Sequence, residues 1–406
     1  MEENKMNQDN YTSKAQFYLK SLCNVKPNRR TGSLGNRDAT DFFANTISTC
    51  GYEVDATPFK CLDHVCGGAL LTHEEEDYEV YASPYTLGCD VLAELITVST
   101  IEELENTDFE GKILLMKGAI CREQLMPKNF VFYNPEHHQR IITLLESRKP
   151  VGIITATEKK PEQVGALYPF PLIVDGDFDI PSVYCRDTMG DILAAKGGLF
   201  RLKIDATRLV SRATNIIARL NAGATRKIVI TAHIDAYEGS PGASDNASGV
   251  VVLLLCAEML SDYRGENCIE IAAFNGEDHY SAGGEMDYLK RYGTEIPKAM
   301  LAVNIDDVGY KNGRSAYSFY ECPLLLEKNA KDIFQRFKGL VLGEQWFNGD
   351  HMIFVQNRIP SVAFTSECMA NLMKTVTHTS LDTPDLIECH KLVEVAESLN
   401  TLVRSL

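Results

Sequence analysis

Apolar positions near the start of the chain recur at helical spacing. Tyr18, Leu19 and Leu22 predict one helix, and a second is predicted over residues 40–50. The polar, Gly-containing stretch Asn28-Arg-Arg-Thr-Gly-Ser-Leu-Gly-Asn36 separates them. Gly51 ends the second helix, and residues 52–59 then alternate with the period of a strand. The middle third carries short strand-like runs at 92–99, 112–116 and 151–156. One helix-like segment lies at 140–148, and a Pro/Gly/Asp-rich stretch precedes Pro181-Ser-Val-Tyr184. From about residue 208 the pattern becomes regular. Strands are predicted at 215–220, 227–232, 268–274, 300–305 and 360–365, and helices at 249–260, 281–292 and 386–404. Asn221-Ala-Gly-Ala-Thr225 reads as a hairpin-like linker between the first two of these strands. Alternation of this kind predicts an α/β fold with a mostly parallel, helix-covered sheet and an inserted smaller α+β domain. Residues 1–75 and 208–406 form the main domain in this reading, and residues 76–207 the insertion.

Composition narrows the class of partner. The 406 residues are 45% apolar and 24% charged, ordinary values for a globular protein with a full core. The net charge of −16 repels phosphate backbones and anionic headgroups, so neither nucleic acid nor a membrane surface is the expected partner. The longest apolar run, Val250–Ala257, is too short to span a bilayer, and the first residues lack the apolar core of a secretory signal. Twelve scattered cysteines with no C-x-x-C pair read as reduced thiols, which makes the expected location cytoplasmic. The sequence does not set an oligomeric state.

The polar residues that matter fall at strand ends. Strand 227–232 runs into His233-Ile-Asp235, and strand 268–274 ends just before Glu277-Asp278. Strand 300–305 runs into Asp306-Asp307, and the last strand leads to a loop carrying His378. Asp245 joins them from Ser240-Pro-Gly-Ala-Ser-Asp-Asn-Ala-Ser-Gly249. Ligands of open α/β sheets bind at the carboxyl ends of strands, so one edge would collect all of these groups. Each group alone has a plainer role. Asp245 could cap the following helix, and Glu277-Asp278 could face a helix dipole. Adjacent Asp306 and Asp307 after a buried strand are costly unless a cation holds them. Two imidazoles with carboxylates and no thiolate suit Zn²⁺, Co²⁺ or Mn²⁺. Five ligands exceed the need of one catalytic zinc and match two ions sharing a carboxylate.

In order along the chain, His233-Ile-Asp235, Ser-Asp245-Asn-Ala-Ser-Gly, Phe-Asn-Gly-Glu277-Asp278, Asn-Ile-Asp306 and His378-Thr-Ser-Leu-Asp-Thr resemble the motifs of the co-catalytic zinc aminopeptidase family. That family includes bacterial leucyl aminopeptidases, glutamate carboxypeptidase and the peptidase-like domain of the transferrin receptor. The resemblance implies a zinc-exopeptidase, phosphorylase/hydrolase-like fold and two divalent ions, expected to be zinc. His233 and Asp306 would hold one ion, Asp278 and His378 the other, and Asp245 would bridge them. Glu277 would be the general base, and Asp235 would orient His233. It also implies a cis Asp245–Asn246 bond. Phe109-Glu-Gly-Lys-Ile-Leu-Leu-Met116, Val151-Gly-Ile-Ile and Ile180-Pro-Ser-Val resemble the protease-associated domain that some members insert. Three departures stand out. Asp278 replaces the commoner Glu, Ser281-Ala-Gly-Gly replaces Gly-Ser, and Trp346 or Phe347 stands where leucyl aminopeptidases carry an oxyanion-supporting Tyr.

The expected activity is release of N-terminal residues from peptides. Carboxypeptidase action on acidic C-termini would need convergent arginines, and Arg314 and Arg358 are isolated candidates. A glutaminyl-cyclase-like transferase would use one metal. A non-catalytic binding protein of the same fold would have lost ligands.

Overall fold

The computed structural model describes the backbone of residues 2–406 and the side chains of residues 8–406. The chain forms two compact units, Met1–Cys61 with Arg212–Leu406, and Leu62–Ser211. These limits differ from the expected 75/76 and 207/208. The cause is two 16-residue strands of the second unit's sheet: Pro58–His73 lies wholly ahead of the expected 75/76 limit, and Leu199–Thr214 crosses 207/208.

The first unit is built on an eight-stranded sheet. Its order is Glu53–Asp55, Ile216–Leu220, Cys268–Phe274, Lys227–His233, Ala299–Ile305, Ser361–Ser366, Ser315–Tyr320, Leu340–Leu342. The four central strands are parallel and buried along their length save for a half-buried Met300, as strands covered on both faces must be. Antiparallel pairings enter on both flanks, so the sheet is mixed around a parallel centre. The linker at 221–225 is not a hairpin. Ile216–Leu220 and Lys227–His233 lie on opposite sides of Cys268–Phe274 and do not pair with each other. A turn-like composition specifies a reversal of the chain, and here a third strand occupies the space between the two arms.

Helix Ser248–Met259 is apolar on all sides and buried almost throughout, which is the pattern of a helix enclosed on every face. It packs against helices Glu2–Cys23 and Cys389–Ser405. Burying a side chain such as Leu253, Phe364 or Leu399 contributes about 1.5–3 kcal/mol. The second helix begins at Leu34, earlier than its apolar spacing suggests. Ser33 caps it, its Oγ accepting the Asn36 N–H at 3.0 Å. Sequence periodicity also passed over strand Ser315–Tyr320 and helix Leu324–Phe334.

The second unit has its own eight-stranded sheet. Cys89–Val98, Ile113–Met116, Gly152–Thr157 and Ser182–Arg186 run parallel, and the long strands Pro58–His73 and Leu199–Thr214 lie to one side of them. Among the described residues, no helix is long and apolar enough to cross a membrane.

Candidate metal centre

The parallel strands of the first unit bring their carboxyl ends to one edge. His233 closes the strand Lys227–His233, Glu277 and Asp278 follow Cys268–Phe274, and Asp306 follows Ala299–Ile305. Asp245 lies in a tight turn, Ala243–Ala247, that leads into the buried helix, and the Asp245–Asn246 bond is cis. His378 arrives from the loop after helix Met369–Thr375 with its backbone in the left-handed region, φ 66°. Such a conformation costs a residue with a Cβ on the order of 1–3 kcal/mol and needs surrounding contacts to hold it.

These side chains form two clusters that share Asp245. In the first, His233 Nε2 lies 3.1 Å from Asp245 Oδ1 and 3.5 Å from Asp306 Oδ1. In the second, His378 Nε2 lies 3.2 Å from Asp245 Oδ2 and 3.1 Å from Asp278 Oδ1. The two oxygens of Asp245 therefore face different clusters. His233 Nε2, Asp306 Oδ1 and Asp278 Oδ2 are buried and close no hydrogen bond. Lone pairs converging on one another without donors fit cations, and imidazole with carboxylate fits zinc.

Asp235 is fully buried behind His233. Its Oδ2 accepts from the Thr31 hydroxyl at 2.8 Å and the Asp278 N–H at 3.2 Å, and its Oδ1 lies 3.6 Å from His233 Nδ1. Asp235 thus fixes the backbone at one ligand and faces the ring of another. Thr31 comes from the polar loop of the sequence, and Asn36 next to it donates to Asn275 at 2.7 Å. The ring of Tyr237 stacks on that of His378, centroids 4.7 Å apart and planes 16° apart.

Charge sets the protonation of this edge. Burial pushes Glu277 well above the usual carboxylate range, and the neighbouring charges of Asp278, Asp306 and Asp245 push it the same way. Burial also raises Asp245, but its hydrogen bonds to His233 and His378 outweigh this and hold it below its ordinary value. The edge is dense in negative charge, and divalent cations would offset it.

Sequence reasoning did not single out a second acid pair. Glu285 and Asp350 are 5% and 2% exposed and contact each other. Glu285 Oε2 and both Asp350 oxygens lack a donor. Burial pushes Glu285 up to about 7, with the charge of Asp235 adding to the effect. Burial raises Asp350 well above the usual range, Glu285 being the next cause. Burial and close contact of two carboxyls favour a proton on one of them.

Of the residues flagged near the oxyanion position, Phe347 is largely exposed. The backbone of Trp346 is engaged: its N–H donates to the Tyr320 hydroxyl at 2.8 Å, and its carbonyl accepts from that hydroxyl at 2.6 Å. His279 Nδ1 pairs with the Ser281 hydroxyl at 2.8 Å. A third cluster, Glu123 with His137 and His138, lies in the second unit. His138 Nδ1 accepts the Met126 N–H at 3.1 Å, so the neutral ring carries its proton on Nε2 and donates it to Glu123. That arrangement is a hydrogen-bonded triad and leaves no lone pair on Nε2 for a metal.

An α/β sheet with paired His and carboxylate clusters at its carboxyl edge defines a candidate metal-binding site. Residues 215–403 match the sequence profile of Peptidase family M28. The chain is similar to the probable lipoprotein aminopeptidase LpqL of Mycobacterium tuberculosis, at 22% identity over 72% of this chain and 58% of that protein. It is also similar to leucine aminopeptidase 2 of Trichophyton equinum, at 22% identity over 84% of this chain and 70% of that one. The chain thus spans well under two thirds of the first relative's length. Among solved structures, BSAP, a zinc aminopeptidase from Bacillus subtilis, shares the fold with a TM-score of 0.73 and 19% identity, over 97% of this chain and 94% of that one.

Proposed function

We propose that the protein is a zinc-dependent aminopeptidase that removes N-terminal residues from peptides. The observation that carries this reading is the pair of donor-poor clusters sharing Asp245, with the raised carboxyl of Glu277 beside them. His233 and Asp306 would hold one ion, His378 and Asp278 the other, with Asp245 between. When bound, two such ions polarise the scissile carbonyl and bring the pKa of a water towards about 7. Glu277 takes the proton from the attacking water and returns it to the leaving amine, and a carboxyl raised above the usual range is suited to both transfers. Asp235 keeps the His233 ring oriented throughout.

Carboxypeptidase action finds no support in the arginines. Of the two candidates, Arg314 is paired with Glu367 at 2.8 Å and Arg358 is exposed. We read Leu62–Ser211 as a protease-associated-like unit, on the strength of the strand segments that resemble that domain. The twelve cysteines, all free thiols, support a cytoplasmic location. Peptides are the partners expected from the reaction, and the net charge of −16 speaks against nucleic acid.

The test is digestion of a mixed peptide pool followed by mass spectrometry, with free and N-acetylated versions in parallel. Stepwise loss of N-terminal residues from the free pool alone is expected. Trimming from C-termini in both pools, or no cleavage by metal-loaded protein, would overturn the reading.

A further inference from the structure

Asp382 lies in the loop that carries His378 and is fully buried. It receives three consecutive N–H groups from the turn that carries Asp245. Its Oδ1 accepts from Ser244 at 2.8 Å and its Oδ2 from Asp245 at 3.0 Å. Its backbone carbonyl accepts from Ala243 at 3.2 Å. The far side of the same turn is tied elsewhere. Asn246 Nδ2 donates to the Ile305 carbonyl at 2.8 Å, on the residue before Asp306. Asp245 therefore hangs between two anchors, one on the strand of the first cluster and one on the loop of the second.

We propose that Asp382 is the positioning residue of the second metal position: it fixes the distance between His378 and Asp245 without touching an ion, while Asn246 does the same for the first position. The inference rests on the two-metal reading above. Metal–ligand distances of about 2.0–2.2 Å tolerate shifts of only a few tenths of an ångström, so a ligand on a loose loop loses its ion. His378 is such a ligand, because it sits in a loop with left-handed backbone. Without Asp382 the Asn246 tie still keeps Asp245 with His233 and Asp306. The loss then falls on the His378 side.

The experiment titrates the chelator-stripped full chain with Zn²⁺ by calorimetry, counts bound ions by native mass spectrometry, and records the melting temperature of each metal-free protein. The proteins are wild type, Asp382→Asn and Asp382→Ala. Wild type is expected to take two ions per chain. Asp382→Ala should keep the first ion near its wild-type affinity and bind the second about 10–100-fold more weakly, the range found when a partner behind a ligand is lost. Asp382→Asn keeps one acceptor oxygen and should fall between, and it decides the matter if the alanine variant does not fold. A wild type that takes fewer than two ions overturns the two-metal reading and the proposal with it. A two-ion wild type whose variants lose both ions in parallel, or neither, overturns the proposal alone.

Discussion

Replacing Glu285 with Gln isolates the buried acid pair. Burial first, and the charge of Asp235 next, push the Glu285 carboxyl from 4.5 up to about 7. The native state therefore holds a proton that the unfolded chain has already released between pH 4.5 and 7. Stability from this group is fully present below pH 4.5 and is lost as pH rises through 7. At about 1.4 kcal/mol per pH unit, the gap corresponds to ~3 kcal/mol. Gln supplies a permanent N–H donor to Asp350 and has nothing to ionise, so the variant escapes this loss. Trp346 is the only tryptophan and lies in the same unit, so its fluorescence follows unfolding of that unit. Urea unfolding of chelator-stripped protein from pH 4 to 8 should show Glu285→Gln gaining ~3 kcal/mol on wild type as pH rises. A stability difference that stays constant across that range would refute the shared-proton account.

Two further outcomes follow from the same structure. Glu277→Gln should cut turnover by about 10²–10⁴-fold while both ions stay bound, because the amide cannot accept the water proton, and parallel metal counting and peptide hydrolysis check this. Phe364→Ala should destabilise the first unit by about 3–5 kcal/mol in chemical unfolding, since Phe364 is fully buried in the central strand Ser361–Ser366.

His233, Asp278 and Asp306 were legible from their places at strand ends, whereas Asp245 and His378 were assigned through the family resemblance. Apolar strands end abruptly in His233, Asp306 and the Glu277-Asp278 pair, and a buried strand gives way to charge only where something compensates it. The acid pair was not legible as a pair, because Glu285 and Asp350 meet only across a long sequence separation. Asp382 has no partner legible in the sequence, and the structure shows that it holds the turn carrying Asp245. Strand pairing was the weakest part of the sequence reading. The Gly-containing linker at 221–225 suggested neighbours, whereas Cys268–Phe274 lies between the strands it joins. Local composition sets a turn but not what later inserts beside it.

The most direct test of the central claim is zinc titration of the chelator-stripped chain beside its His378→Ala variant, with bound ions counted at saturation. The account predicts two ions per chain for wild type and one for the variant, because removing Nε2 leaves the second cluster with carboxylates alone. A saturation of one ion or none in wild type, or an unchanged count in the variant, would contradict it.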